Sequence, residues 1–365
     1  MMDRRAWLAA LTGWLTLPRA SARDPDPAAV PVVLPGEALQ FPRDFGSHPQ
    51  YRTEWWYVTG ALQGVDGRTA YGFQVTFFRS RTGVYPDHPS RFAASQLLFA
   101  HAAVTDVTAA RLHHDQRLAR VGFGIAQAAL EDTDVRLRDW YMRRDAATRR
   151  YRVHVHADGF ALDLQAQETQ PVLLQGDAGY SRKGPEPEQA SRYYSKPQLA
   201  VQGELALGPR RLTVRGTAWL DHEWSEALMH PQAVGWDWVG MNLDDAGALT
   251  AFRLRRKDGS ALWAGGSHRS RGGQTQAFAH DQVVFTPRRW WTSPSTGARY
   301  PVEWRVDTPA GQFVVRALVD AQELDSRAST GAVYWEGLSE LLDRDGRRRG
   351  QGYLEMTGYV DRLRL

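Results

Sequence analysis

Apolar and polar residues alternate one by one over much of this chain, and this period of two constrains the fold more than any other feature. Tyr151, Val153 and Val155 alternate with polar residues, and the alternation resumes after an Asp158-Gly159 turn signal. Side chains on a β-strand point alternately to opposite faces, so the pattern indicates two strands joined by a tight turn. The sequence therefore predicts a β-hairpin here.

A second hairpin is predicted from residues 48–60 and 71–79, which are rich in aromatic and β-branched residues and flank an Asp66-Gly67 turn signal. Further short β segments follow at intervals of roughly 8 to 15 residues, with turn signals between them. This spacing is typical of antiparallel sandwiches and barrels. The predicted fold class is all-β with a minor helix, for which residues 120–147 are the candidate.

The chain divides into two predicted domains. Residues 176–190 are rich in Gly, Pro, Ser and Glu, which indicates a long loop, and a new series of strands begins after it. We therefore expect a boundary near residues 198–205, with an N-terminal domain at 37–200 and a C-terminal domain at 201–365.

Residues 1–22 have the pattern of a signal peptide. Arg4 and Arg5 precede a short apolar run, and Ala20-Ser21-Ala22 matches a cleavage site. The two arginines also give a loose match to a twin-arginine signal. Residues 23–36, rich in Pro and Ala, are predicted to be a disordered leader. We expect a mature protein that is periplasmic or secreted.

Composition excludes several classes of function. The chain has no cysteine, which excludes disulfides, thiolate metal sites and a cysteine nucleophile. The formal net charge is +4, and apart from Arg347-Arg348-Arg349 there is no dense basic stripe, so we expect no nucleic-acid partner. Lysine occurs only at 183, 196 and 257.

The segment Trp219-Leu220-Asp221-His222-Glu223-Trp224-Ser225, followed closely by Gly235-Trp236-Asp237-Trp238, concentrates ionisable and aromatic side chains. The residues before it alternate with a period of two, which predicts a strand. Continued alternation places His222 and Trp224 on one face and Asp221 and Glu223 on the other. A strand that ends in such a cluster is typical of a cavity mouth. The alternative is that the tryptophans pack in a core and the acids cap a turn.

Glu54 stands directly before Trp55, Trp56 and Tyr57. It is either a buried partner of Arg52 or Arg79 across the first hairpin or part of a site at the domain junction. The pair His154 and His156 shares a strand face, but two histidines alone are weak evidence for a metal, and we predict no metal site.

Known sequence signatures of nucleotide-binding and hydrolytic sites are missing. The glycines match neither nucleotide-binding loop, and neither G-x-S-x-G nor H-E-x-x-H occurs. We therefore predict no cofactor, and no motif supports a hydrolase.

Several segments in order resemble the AttH-type lipocalin-like family, relatives of bacterial carotenoid 1,2-hydratases. They are YRTEWWYVTG (51–60), GFQVTFFR (72–79), YYS (193–195), WLDHEWS (219–225), GWDW (235–238), YWEG (334–337) and GYLEMTGY (352–359). The resemblance implies two consecutive calycin-like β-barrel domains around apolar cavities. It also implies a functional D-H-x-W motif, which falls on His222 and Trp224.

Hydration of a carbon–carbon double bond, as the resemblance implies, needs a proton donor, shelter for a carbocation and a positioned water. Asp221, Glu223 or Asp237 would be the acid, and His222 would orient the water or accept its proton. Tryptophan faces stabilise a nearby cation. The expected substrate contacts are Trp224, Trp236, Trp238, Glu54, Trp56, Tyr194 and Trp335.

A non-enzymatic function remains open beside hydration. A periplasmic carrier of a lipid-like molecule, serving components of a membrane transporter, would need the aromatic cavity and not the acids. In both cases the expected partner is a hydrophobic small molecule.

Overall fold

The computed structural model describes residues 31–65, 67, 70–84, 88–90, 92–226 and 229–363. These residues form one 3₁₀ helix, Arg43–Phe45, and 23 strands. All strand pairs are antiparallel, in two sheets of 13 and 10 strands. The predicted all-β class with two antiparallel β domains is confirmed. No helix among the described residues is long and apolar enough to cross a membrane.

The first sheet contains the first thirteen strands in the spatial order β4-β3-β2-β1-β13-β12-β9-β8-β7-β6-β5, and β10 and β11 also pair with β12. Their bounds are β1 Thr53–Gly64, β2 Ala70–Arg81, β3 Gln96–Asp106, β4 Arg111–Arg120, β5 Ala126–Ala128, β6 Asp134–Leu137, β7 Trp140–Asp145, β8 Arg150–Ala157, β9 Phe160–Gln167, β10 Leu173–Leu174, β11 Tyr180–Arg182, β12 Ala190–Leu207 and β13 Arg210–Ser225. Both predicted hairpins, β1–β2 and β8–β9, are present.

The second sheet has the order β17-β16-β15-β14-β23-β22-β20-β19-β18, and β21 pairs with β22. Its bounds are β14 Ala233–Leu243, β15 Ala248–Arg256, β16 Ala261–Arg269, β17 Thr275–Phe278, β18 Val284–Thr292, β19 Arg299–Thr308, β20 Gly311–Ala317, β21 Glu323–Ser326, β22 Ala332–Asp343 and β23 Arg348–Met356.

The predicted helix at 120–147 is wrong, because this segment forms the strands β5, β6 and β7. Val135 and Leu137 are buried and their neighbours are not, which is a strand pattern. Arg138, at a φ of 59°, then lies in the left-handed region at the turn into β7. Three short strands therefore replace the predicted helix.

The structure moves the boundary between the two parts of the chain. Strand β12 runs from Ala190 to Leu207 without a break. The last twelve residues of β13 pair with β1. The chain therefore leaves the first sheet after Ser225 and enters the second at Ala233, not near residue 200. The long loop before β12 does not end the first sheet. The two strands that follow the loop, β12 and β13, pair with each other, and β13 also pairs with β1.

The predicted leader is also shorter than expected. Residues 1–30, including the predicted signal peptide, lie outside the described residues. Val33, within the predicted leader, is 1% exposed and belongs to the first hydrophobic core, and the carbonyl of Leu34 accepts a hydrogen bond from Arg192. The end of this segment is therefore part of the folded domain.

Each sheet has its own hydrophobic core, and a third apolar cluster joins the two sheets. This third cluster contains Tyr57 and Trp219 from the first sheet and Trp238, Phe252 and Tyr353 from the second. The facing surfaces of the two sheets therefore carry large aromatic side chains, and the site described below lies between them.

Candidate functional site

The register of β1 and β13 divides the polar cluster of residues 221–224 between two environments. Trp56 lies opposite His222 and Tyr57 lies opposite Asp221. Directly opposed residues of an antiparallel pair project to the same face. The predicted alternation is confirmed, and the two faces lead to different sites.

On the face that points into the first domain, Glu54 is the centre of a buried network. Its carboxylate accepts hydrogen bonds from the Arg79 Nε at 2.7 Å and from the backbone N–H of His48 at 2.9 Å. His48 Nδ1 and His222 Nε2 lie 2.8 and 2.9 Å from the same carboxylate oxygen. Glu54 and His222 are fully buried. Of the two partners considered for Glu54, Arg79 is the correct one, and Arg52 instead pairs with Glu226.

Aromatic rings enclose the histidines of this network. The Trp224 ring stacks on His48 at 3.6 Å, and the Trp56 ring stacks on His222 at 4.7 Å. The Tyr194 hydroxyl lies 3.0 Å from His222 Nδ1. His222, Trp224, Trp56, Tyr194 and Glu54 are brought together as the sequence suggested, but none of them lines the cavity between the sheets.

The charges of the network follow from its contacts. Burial would raise the pKa of Glu54, but the Arg79 charge and hydrogen bonds from both histidines outweigh it and hold this pKa well below its usual range. Burial lowers the pKa of His222 to about 4, against the opposing effect of Glu54. Burial also opposes a charge on His48, yet hydrogen bonds to Asp44 and Glu54 raise the pKa of His48. Glu54 is thus ionised and His222 neutral near pH 7.

His48, Glu54 and His222 are a set of metal-ligating types, with ligand atoms within 4.8 Å of one another. Both ring nitrogens are already at hydrogen-bond distance from the carboxylate, and a guanidinium lies on its other oxygen. The contacts are those of a hydrogen-bond network in which Arg79 balances the charge of the carboxylate.

The opposite face of β1 and β13 borders a cavity of about 250 Å³ between the two sheets. Its walls are rich in aromatic side chains. They include Trp55, Tyr57, Tyr193, Trp236, Trp238 and Phe252. The predicted contacts Trp236 and Trp238 are therefore present in the cavity wall.

Four carboxyl groups line this cavity: Asp221 and Glu223 from the first sheet, and Glu336 and Glu355 from the second. Asp221 accepts hydrogen bonds from Ser195 at 2.5 Å, Trp219 at 2.6 Å and Tyr193 at 2.7 Å. Burial nevertheless raises the pKa of Asp221 to about 7, although these donors oppose the shift. Asp221 is therefore a carboxyl group that exchanges its proton near neutral pH.

Glu336 and Glu355 lie directly opposite each other on β22 and β23. Burial raises the pKa of Glu336 well above its usual range, and the Glu355 charge adds to the effect. Burial likewise raises the pKa of Glu355 to about 7. With its amide oriented to donate, Gln74 hydrogen-bonds to Glu336. Two opposed carboxyls in an apolar wall favour a state that keeps at least one proton.

Glu223 differs from the other three acids because it has a cation. Lys183 Nζ lies 2.9 Å from its carboxylate, and Ser191 also donates to it. The same ammonium lies 4.2 Å from the centre of the Phe252 ring and 4.8 Å from that of Tyr193. Glu223 is thus part of an ion pair at the cavity wall and not a free acid.

Two predicted site residues lie away from the cavity. Asp237 accepts hydrogen bonds from Arg253 at 2.7 Å and Tyr359 at 2.8 Å inside the second domain. The Trp335 indole donates to the carbonyl of Asp320. The structure does not bring either residue together with Asp221, because both project from the opposite faces of their strands.

Sequence reasoning missed several residues of the cavity. Glu336 and Glu355 were not assigned to a site, and Tyr193 was passed over for its neighbour Tyr194. The pairing of β12 with β13 would have found the tyrosine, since Tyr193 lies opposite Glu223 while Tyr194 lies opposite His222. Glu336 and Glu355 come from another sheet, and no local pattern connects them with Asp221.

A histidine and a serine also meet at the cavity wall. His101 Nε2 lies 2.9 Å from Ser329 Oγ, and His101 Nδ1 lies 2.8 Å from the Tyr334 hydroxyl. Ser329 donates its single proton to Gln116 Oε1 at 2.5 Å, since the Gln116 amide nitrogen is used by the carbonyl of Asp325. His101 therefore donates to Ser329, which is the reverse of what activating a serine nucleophile requires.

Fold and site together define a two-sheet β-protein with an acidic, aromatic cavity between its sheets. Residues 32–359 match the AttH-like family, and the chain belongs to that family. A comparison with curated proteins gave no match.

Solved structures share the fold. A protein described as an AttH from Nitrosomonas europaea is 48% identical, with a TM-score of 0.84 over 91% of this chain and all of that one. Kievitone hydratase from Nectria haematococca is 15% identical, with a TM-score of 0.67 over 92% of this chain and 95% of that one. CghA, solved with Sch210972, is 14% identical, with a TM-score of 0.52 over 85% and 89%. The last two show similarity of fold.

Proposed function

We propose that the cavity between the sheets binds a small apolar molecule and adds water to one of its carbon–carbon double bonds. The observation that carries the proposal is the presence of carboxyl groups with raised pKa values in an aromatic wall: Asp221, Glu336 and Glu355. Protonating carbon needs an acid that still holds its proton at neutral pH, and burial provides one. The neighbour named kievitone hydratase fits the proposal, although its likeness extends to the fold alone.

The reaction is balanced by one carboxyl group. The π electrons of the alkene take the proton of the acid and form a C–H bond, which leaves a carbocation beside a carboxylate. A water oxygen then forms the C–O bond, and the proton it releases returns to the carboxylate. Each tryptophan face near the cation stabilises it by about 1–2 kcal/mol when water is excluded. Trp236 and Trp238 are placed for this role.

Asp221 and Glu355 are the two candidate proton donors in this mechanism. Asp221 has one lone pair left on its Oδ2 after accepting three hydrogen bonds, and the proton occupies that position. Glu355 has its proton favoured by the opposed Glu336. His222 lies behind the wall, so we assign it to the buried network and not to positioning the water.

The test is an incubation with a panel of small trisubstituted alkenes in oxygen-18 water, with mass spectrometry of the products. We expect a labelled alcohol from the wild-type protein. Asp221→Asn or Glu355→Gln, whichever removes the donor, lowers the rate by about 100-fold or more. Asp163→Asn is the matched control, because it removes a carboxylate on β9 that is outside the cavity. If both cavity variants formed the labelled product at the wild-type rate, the mechanism would be disproved.

A carrier function is the second candidate, and the aromatic cavity is the observation that favours it. A carrier of a lipid-like molecule serving a membrane transporter would bind the alkene panel and release it unchanged. It would also keep its affinity in Asp221→Asn and Glu355→Gln. We further propose that the protein acts in the periplasm or outside the cell, which rests on the signal-peptide pattern of residues 1–22.

A further inference from the structure

We infer that the cavity between the sheets binds hydrophobic organic cations of the tertiary or quaternary alkylammonium class. The inference rests on the proposed function, since protonating a trisubstituted alkene gives a tertiary carbocation, and an alkylammonium ion has nearly the same shape and charge.

The charged groups around the cavity are not balanced. Lys183 and Arg79 contribute to its wall, and each already has a carboxylate of its own, Glu223 and Glu54. No Lys, Arg or His among the described residues forms an ion pair with Asp221, Glu336 or Glu355. Three carboxyl groups thus face the cavity without a protein cation. A ligand cation would balance the negative charge of these groups when they are ionised.

The wall of the cavity already holds one ammonium group. The Lys183 ammonium lies over the Phe252 and Tyr193 rings while it pairs with Glu223. This arrangement of a carboxylate and aromatic faces around one ammonium group is the arrangement that recognises ligand cations. Tyr57, Trp236 and Trp238 offer the same combination beside Glu336 and Glu355, which have no ion-pair partner among the residues that the structure describes.

The binding of a permanent cation has a pH dependence opposite to that of hydration. Besides the three acids, the charged or titratable groups of the wall are Tyr57 on β1, Arg79 on β2, His101 on β3, Lys183 after β11, Tyr193 on β12, Glu223 on β13 and Tyr334 on β22, and Tyr353 on β23 lies near Glu336. Asp237 on β14 lies behind the wall, and its charge adds to the raised pKa of Glu355. As the pH rises through the raised pKa values of Asp221 and Glu355, the cavity becomes more negative. A permanent cation therefore binds more tightly at pH 8 than at pH 6, whereas a mechanism that needs the protonated acid slows down.

The test compares benzyltrimethylammonium with its uncharged carbon isostere, 2,2-dimethylpropylbenzene, by tryptophan fluorescence and equilibrium dialysis on the whole protein. We expect the cation to bind at least about tenfold more tightly than the isostere at pH 8, with this preference reduced at pH 6. The double variant Glu336→Gln/Glu355→Gln removes the preference and keeps the affinity for the isostere, which also shows that the variant is folded. Asp163→Asn leaves both affinities unchanged. Equal binding of the two probes at pH 8, or tighter binding of the isostere, would overturn the inference.

The outcome separates this inference from the proposed function. Labelled alcohol without cation binding would support hydration and refute the cation site. Cation binding with the expected pH dependence, but without labelled alcohol from any alkene, would keep the cation site and refute hydration.

Discussion

Glu54 and Glu336 are both buried glutamates, and their different partners give them different charges. Glu54 lies opposite Arg79 on β2, so it is ionised, while Glu336 lies opposite Glu355 on β23, so it favours its proton. The sequence shows a Glu next to aromatic residues in both cases. At the scale of single residues, the role of a buried acid depends on the residue directly opposite it on the neighbouring strand. The local sequence does not identify that residue.

Removing Arg79 tests the structural role of the inner network. Arg79→Met leaves Glu54 as a buried charge without its cation, which should lower the free energy of unfolding by about 3–5 kcal/mol. Arg52→Met is the matched control, since Arg52 is 56% exposed in its pair with Glu226 and should cost about 1 kcal/mol or less. Urea denaturation of the two variants measures both values. A similar loss in both would show that Glu54 does not depend on Arg79.

At the scale of strands, the alternation in the sequence predicted strand faces and hairpins, but it did not predict which distant strands pair. The two faces of residues 221–224 and both hairpins follow from a period of two that is visible locally. The sheet to which β13 belongs does not, because its partner β1 begins more than 150 residues earlier in the chain. The boundary near residue 200 was therefore misplaced, because it falls inside β12, which the sequence did not reveal as one continuous strand.

Gly216 provides a test of the pairing of β13 with β1. A Cβ added at Gly216 would lie 1.9 Å from the carbonyl oxygen of Ala61, so Gly216→Ala must push the two strands apart. We expect a loss of about 1–3 kcal/mol in stability and a lower thermal midpoint. Gly272→Ala is the control, because its nearest neighbour would be 3.8 Å away. An unchanged midpoint for Gly216→Ala would contradict the register described here.

At the scale of the whole molecule, the candidate site exists only where the two sheets face each other. Asp221 and Tyr193 come from the first sheet, and Trp238, Glu336 and Glu355 come from the second. The sequence identified Asp221, Glu223, Trp236 and Trp238 from their local cluster. It also assigned Trp224, Tyr194 and Trp335 to the site, because composition cannot tell a core aromatic from one in a cavity wall. Only the packing of the sheets makes that distinction.

The central claim is that this cavity keeps carboxylic acids protonated at neutral pH. The most direct measurement is an NMR titration of protein labelled with carbon-13 at the Asp and Glu carboxyl carbons. The account predicts two signals that titrate near pH 7, one lost in Asp221→Asn and the other in Glu355→Gln. If every carboxyl signal titrates below about pH 5, as in solvent-exposed acids, the cavity holds no proton donor and the account is contradicted.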